Sequence, residues 1–181
     1  MSITIHSFIQ LVFIGIIALF PVINPIGTAF IVNPYFDGLS KVERRKTVKK
    51  ITFYTFILCT VMLFTGHWIL ELFGITVPVI QLAGGIMISK LGWDLLSSKT
   101  NAAHEDKKAA GDSGNVFEKL NKNIFYPITF PITAGAGTIS VIFTLSAHTN
   151  NNNVKDYLIN TGAILTAIII MCLLVYVCYF N

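Results

Sequence analysis

Charge is what this sequence is short of. Only 12% of its 181 residues are Asp, Glu, Lys or Arg, about half the share in an ordinary soluble domain, whereas 54% are hydrophobic. The 13 basic and 9 acidic residues leave five stretches wholly without charge, at 1–36, 51–70, 72–89, 123–154 and 157–181. Each is long enough, or nearly so, to cross roughly 30 Å of hydrocarbon as a helix. A water-soluble globule is excluded, and the reading is an all-α membrane protein with five predicted transmembrane helices.

Other absences narrow the function. The sequence has no H-E-x-x-H, no G-x-S-x-G elbow, no P-loop and no dinucleotide fingerprint, so an enzyme is not expected. Cys59, Cys172 and Cys178 all fall inside predicted spans without metal-ligand spacing, and neither a metal nor a cofactor is expected. No carboxylate lies deep in a span, which leaves proton coupling without a carrier. His67 with Glu71, and Lys90 with Asp94, are pairs four residues apart at span ends and read as interfacial groups. The first stretch is too long for a cleavable signal and has no basic residue, so it reads as a retained span. The net charge of +4 does not point to nucleic acid, because the basic residues cluster beside hydrophobic runs, as topology signals do.

Those signals are one-sided. Lys41, Arg44, Arg45, Lys46, Lys49 and Lys50 follow the first span, and Lys99, Lys107, Lys108, Lys119 and Lys122 follow the third. The positive-inside rule puts both loops in the cytoplasm. The turns near Glu71 to Gly74 and Asn150 to Asn153 are then external, as is the N-terminus, and a C-terminus after five spans is cytoplasmic. Residues 99–122 read as a cytoplasmic linker, rich in Ala, Lys and Asp at its start.

Phe20-Pro21-Val22-Ile23-Asn24-Pro25-Ile26-Gly27-Thr28 reappears 110 residues on as Phe130-Pro131-Ile132-Thr133-Ala134-Gly135-Ala136-Gly137-Thr138. The same offset carries span two onto the last charge-free run, and carries span three past residue 181. The pattern is an inverted three-plus-three repeat lacking its sixth span, with residues 1–98 as the first three-helix repeat and 123–181 as an incomplete second. An odd number of spans per repeat inverts the second copy, the plan of many secondary transporters.

Asn24-Pro25 falls inside a hydrophobic span, where proline removes a backbone donor and clashes with the preceding turn. Span four repeats the device with Pro127, Pro131, Gly135 and Gly137, flanked by the hydroxyls of Thr129, Thr133, Thr138 and Ser140. Freed backbone groups in hydrocarbon are tolerated only inside protein or beside a wet cavity. Helices one and four are therefore expected to be broken. The candidate solute-binding residues are Asn24, Pro25, Gly27, Thr28, Thr133, Gly135, Gly137 and Thr138. In span three, Gly84 and Gly85 beside Gln81 read as a helix-packing surface.

Asn24-Pro25-Ile26-Gly27, then Phe73-Gly74-Ile75 leading to Ala83-Gly84-Gly85-Ile86, then Pro127 through Ser140, resemble the MarC family of bacterial inner-membrane proteins along essentially the whole chain. The resemblance implies a six-span plan, a bacterial inner-membrane location and, from some members, transport of neutral amino acids. The family commonly reads A-G-P-G where this chain has Ala134-Gly135-Ala136-Gly137. The expected function is movement of a small neutral solute, such as an amino acid, by alternating access around spans one and four. The alternative is a membrane structural or interaction protein, or a remnant of a transporter. The expected partners are the lipid bilayer and that solute, and an apolar flank along Leu158 to Phe180 leaves a homo-oligomer open.

Overall fold

A computed structural model describes residues 2–76, 78–79, 82–83, 85–86, 89–90, 93, 120, 124–147 and 154–180. Among these residues all regular structure is helical. Helix α1 (Ser2–Ile23) and α2 (Pro25–Val32) lead through a tight 3-10 turn, Asn33–Phe36, to α3 (Lys41–Leu72). After them come α4 (Ile124–Thr133), α5 (Ala136–Ala147) and α6 (Val154–Phe180). His6–Phe36, Lys41–Gly66 and Lys155–Phe180 are each long and apolar enough to cross a bilayer, and the bent pair α4–α5 passes the same test together, as a broken span or a re-entrant loop.

Helix α3 starts ten residues before its charge-free run, a difference from the loop expected over Asp37 to Lys50. The cause is a capping box. The Ser40 N–H donates to Glu43 Oε2 at 2.9 Å, and the Glu43 N–H donates to Ser40 Oγ at 3.3 Å, so orphan donors at the helix start are satisfied without a partner from elsewhere. The basic residues thus ride on the first helical turns. The 32-residue helix is about 48 Å long, longer than the roughly 30 Å of hydrocarbon it has to cross.

Helix α6 is the centre of the packing. Gly15 of α1 faces Ala167, and an added Cβ there would come within 2.8 Å of the alanine Cβ. Phe8 lies beside Gly162 in the same register, so α1 runs parallel to α6. Helix α3 runs antiparallel to it, with Arg44 at the Tyr179 carbonyl and Cys59 beside Cys172. Leu19, Ile23, Ile51, Ile128, Ile142, Ile168, Met171 and Val175 are buried between the helices.

The outward surface is apolar. Phe53, Ile57, Val61, Phe64, Trp68 and Leu72 form an exposed stripe on α3, and Ile169, Leu173, Val177 and Phe180 form one on α6. In water such stripes would be association surfaces. Against acyl chains they carry no hydrophobic penalty, and helices associate instead through close packing and hydrogen bonds.

Several expectations concern residues outside those described. They include most of span three with Gln81 and Gly84, Asp94, the turn Asn150 to Asn153, and the linker 99–122 apart from the buried Leu120.

Candidate functional site

Both expected breaks are present. Helix α1 passes through Pro21 without interruption and stops at Asn24, which adopts the left-handed conformation at φ 42°, ψ 66°. Asparagine tolerates that region better than most residues because its short side chain bonds locally. Here its Oδ1 accepts the Gly27 N–H at 3.1 Å and caps α2. Pro25 is buried at the first helical position, where the missing N–H is harmless to α2. It nonetheless deprives the Pro21 carbonyl of the donor a continuous helix would provide. Thr28, buried, donates to the Asn24 carbonyl at 2.9 Å. Asn24 itself is exposed and Gly27 half-buried.

The second break is built from a tandem. Tyr126-Pro127-Ile128-Thr129 is followed at once by Phe130-Pro131-Ile132-Thr133. Tyr126 and Phe130 are both extended, with φ −123°, as expected for residues whose helical conformation is blocked by a following proline. The carbonyls stranded by this pattern are recovered by threonine. Thr129 Oγ1 donates to the Ile124 carbonyl and Thr133 Oγ1 to the Ile128 carbonyl, each at 2.8 Å. The Ala134 N–H reaches the Thr129 carbonyl at 2.9 Å, widening the turn to five residues. The Phe130-Pro131 bond is cis. The chain then bends by 65° into α5. Gly135 sits at the bend, where a Cβ would lie 2.8 Å from the Pro131 carbonyl oxygen.

The two breaks share one register: Asn24 corresponds to Ala134 at the 110-residue offset. They also converge. Helix α2 packs on both α4 and α6, and Tyr179 near the end of α6 joins them. Its hydroxyl lies 2.8 Å from Thr133 Oγ1, and the Thr28 side chain lies close to the same phenol. Thr28, Thr133 and Tyr179 are all buried.

The node is held at one end of the bundle by Arg44. Its Nε and Nη2 donate to the Tyr179 carbonyl at 3.3 and 3.0 Å, and Nη2 also reaches Asn33 Oδ1 at 3.3 Å. The guanidinium stacks over Phe36 at 5.4 Å, and Phe36 packs edge-on against the Tyr179 ring. From this end the second broken segment runs away toward the other, since Ser146 Oγ donates to the Leu63 carbonyl at 2.7 Å. Its direction is therefore opposite to that of α1–α2, which ends at Tyr179.

Of the expected site residues, Thr28 and Thr133 meet at the node. Asn24, Pro25 and Gly27 form the first break, and Gly135, Gly137 and Thr138 surround the second. Gly85 is exposed, and among the described residues a Cβ there would meet nothing within 4 Å. Tyr179 and Arg44 were not expected at the site. A signal for Tyr179 does exist, because a tyrosine inside an apolar span must find a partner for its hydroxyl. A shallow groove of about 380 Å³ between α3 and α6, edged by Lys49 and lined by Phe53, Phe56, Leu173 and Tyr176, shares no residue with the node.

A family model described as MarC family integral membrane protein matches residues 9–180. The inner membrane protein MarC of Salmonella paratyphi A is 29% identical over 132 residues, which cover 72% of this chain and 59% of that relative. The Citrobacter koseri protein of the same name is 30% identical over the same extent. Membrane protein YvbG of Bacillus subtilis is 30% identical over 164 residues, covering 88% of this chain and 73% of the relative. The chain thus spans 59% of the length of the enterobacterial relatives it matches. No solved structure matches it.

Proposed function

The chain belongs to the MarC family of integral membrane proteins, and from that premise we propose that it moves a small neutral solute, such as an amino acid, by alternating access around its two broken segments. It is a multi-pass membrane protein, and its relatives are named as membrane proteins rather than enzymes. The single observation that carries the transport reading is the convergence of both breaks on Tyr179. Paired interrupted helices with opposite directions and a common register are the arrangement from which transporter sites are built.

In this reading α1–α3 belong to one repeat and α4–α6 to an inverted second. Residues 1–98 and 123–181 are the corresponding units, and 99–122 is the linker. The Thr28–Tyr179–Thr133 node closes the path at the Arg44 end, and moving α2 away from α4 opens it. The basic start of α3 supports a cytoplasmic Arg44 end, and the names of the enterobacterial relatives support an inner-membrane location.

The test is uptake of labelled L-alanine into proteoliposomes carrying the purified chain. Accumulation above empty vesicles, competed by unlabelled small neutral amino acids, is the expected result. Uptake equal to that of empty vesicles in both reconstituted orientations overturns the reading and favours a structural membrane component.

A further inference from the structure

The two breaks differ in how the helix beyond each one begins. At the first, Asn24 Oδ1 caps α2. At the second, the corresponding positions are Ala134 and Gly135, and neither has a side chain that can accept an N–H. Helix α5 has 12 residues and so begins with partial positive charge and first-turn donors that have no partner within the helix.

An independent observation lies in the same turn. Thr138, fully buried, has a hydroxyl without a hydrogen-bond partner. Thr65, Thr144 and Thr166 return their proton to the carbonyl four residues back, whereas the buried hydroxyls of Thr47, Thr52, Thr55, Thr60 and Thr138 have no partner among the described residues. Of these five, Thr138 lies in the first turn of its helix. Helical side chains lean toward the N-terminus, so a hydroxyl at this position belongs to the first turn of α5. A buried, unpartnered donor beside a helix start can receive an acceptor from outside the chain.

We propose that the first turn of α5, Ala136 to Thr138, receives the carboxylate of a small zwitterionic solute through its backbone N–H groups and the Thr138 hydroxyl. The assignment rests on the transport reading for its solute class. No lysine or arginine occurs in residues 123–154, so the positive charge available is that of one helix end, suited to a single carboxylate rather than a multiply charged phosphate. A zwitterion brings its own countercharge into the apolar surroundings. Ala136 and Gly137 add little side-chain bulk to the turn, which lets a carboxylate approach the backbone, while at Gly135 the Pro131 carbonyl oxygen occupies the place of a Cβ. Asn24, by filling the equivalent place in the first repeat, gives the site its polarity: carboxylate toward α5, not α2.

The experiment is thermal unfolding of the full purified chain in detergent with L-alanine, L-alaninamide or propionate, paired with uptake in proteoliposomes. L-Alanine is expected to raise the midpoint in a saturable manner and propionate to do so more weakly. Alaninamide, without the carboxylate, leaves it unmoved. Thr138→Val weakens the L-alanine effect by about tenfold, the loss of one charge-assisted hydrogen bond, while Thr138→Ser retains it. Stabilisation by alaninamide equal to that by L-alanine overturns the assignment, as does no effect of any carboxylate. So does a folded Thr138→Val that responds as the parent does. If that variant fails to fold, the ligand series on the unmodified chain decides alone. Carboxylate-dependent stabilisation without uptake keeps this site and removes the transport reading, and uptake indifferent to the carboxylate does the reverse.

Discussion

The Tyr179 hydroxyl stands 2.8 Å from Thr133 Oγ1, and its one proton cannot serve both threonines beside it. Thr133 already donates to the Ile128 carbonyl and Thr28 to the Asn24 carbonyl. If both keep those bonds, only one can accept from Tyr179. The phenol therefore binds α4 through Thr133, and its contact with Thr28 of α2 is the weaker one. A junction of this kind gives way on one side at little cost, as a gate between two broken segments requires.

Replacing Tyr179 by Phe leaves both threonines bonded to backbone, so no buried group is orphaned. The loss of stability is expected to be about 0.6 kcal/mol, the average for interhelical hydrogen bonds in membranes, and at most about 1.7 kcal/mol. A double-mutant cycle of Tyr179→Phe with Thr133→Val, read by unfolding in detergent, is expected to show coupling of that size. The same cycle with Thr166→Val, whose hydroxyl bonds only Gly162, shows none. Equal coupling in both cycles contradicts the direct bond.

What the sequence made legible follows from chemistry that acts locally. Pro25 beside Asn24, and Pro131 before Gly135, break a helix whatever surrounds them, and both breaks lie where the residues placed them. The charge-free runs likewise located α1, α3 and α6. Tyr179 was not legible as a site residue, because its role depends on α6 packing between segments far away in sequence. The start of α3 at Lys41 was written in Ser40 and Glu43 but was masked by the basic cluster, which reads as loop when only charge is considered. Arg44 shows the same limit: topology assigns it a side of the membrane, and only the fold gives it the Tyr179 carbonyl.

Asn24 combines a cap with a left-handed backbone, and two variants separate these contributions. Asn24→Ala loses both and is expected to cost about 1–2 kcal/mol. Asn24→Gly restores the backbone freedom and is expected to recover most of that loss. Chemical unfolding of the two proteins measures the difference. Equal destabilisation would show that only the side-chain acceptor matters, and that φ of 42° is held without strain.

At Gly135 an added methyl meets the Pro131 carbonyl oxygen at 2.8 Å, whereas at Gly85 it meets nothing among the described residues. Gly135→Ala must therefore move the backbone at the bend, with an expected loss of about 1–3 kcal/mol, the usual cost of overpacking. Gly85→Ala is expected to be neutral or slightly stabilising, since alanine is the better helix former by up to about 1 kcal/mol. Unfolding midpoints measured side by side check both. A marked loss at Gly85 would instead indicate a packing partner for span three, the role its sequence suggests.

Orientation can be read by thiol labelling because the native cysteines are mostly out of reach. Cys59 and Cys172 are buried and Cys178 is half-buried, so Cys178→Ser alone leaves a nearly silent background for a membrane-impermeant maleimide. Lys46, exposed near the start of α3, and Phe73, exposed just past its end, are separated by a helix long enough to cross the bilayer. The positive-inside rule puts Lys46 in the cytoplasm. Lys46→Cys is therefore expected to label only in inverted vesicles, while Phe73→Cys and His6→Cys label in intact spheroplasts. His6 belongs with Phe73 because α1 runs parallel to α6 and antiparallel to α3. Labelling of Lys46→Cys and Phe73→Cys from the same side would mean that α3 does not cross. The reverse pattern, with Lys46→Cys labelled from outside, would keep the fold but place the Tyr179 node at the external face, and would require the charge rule to fail for six clustered basic residues.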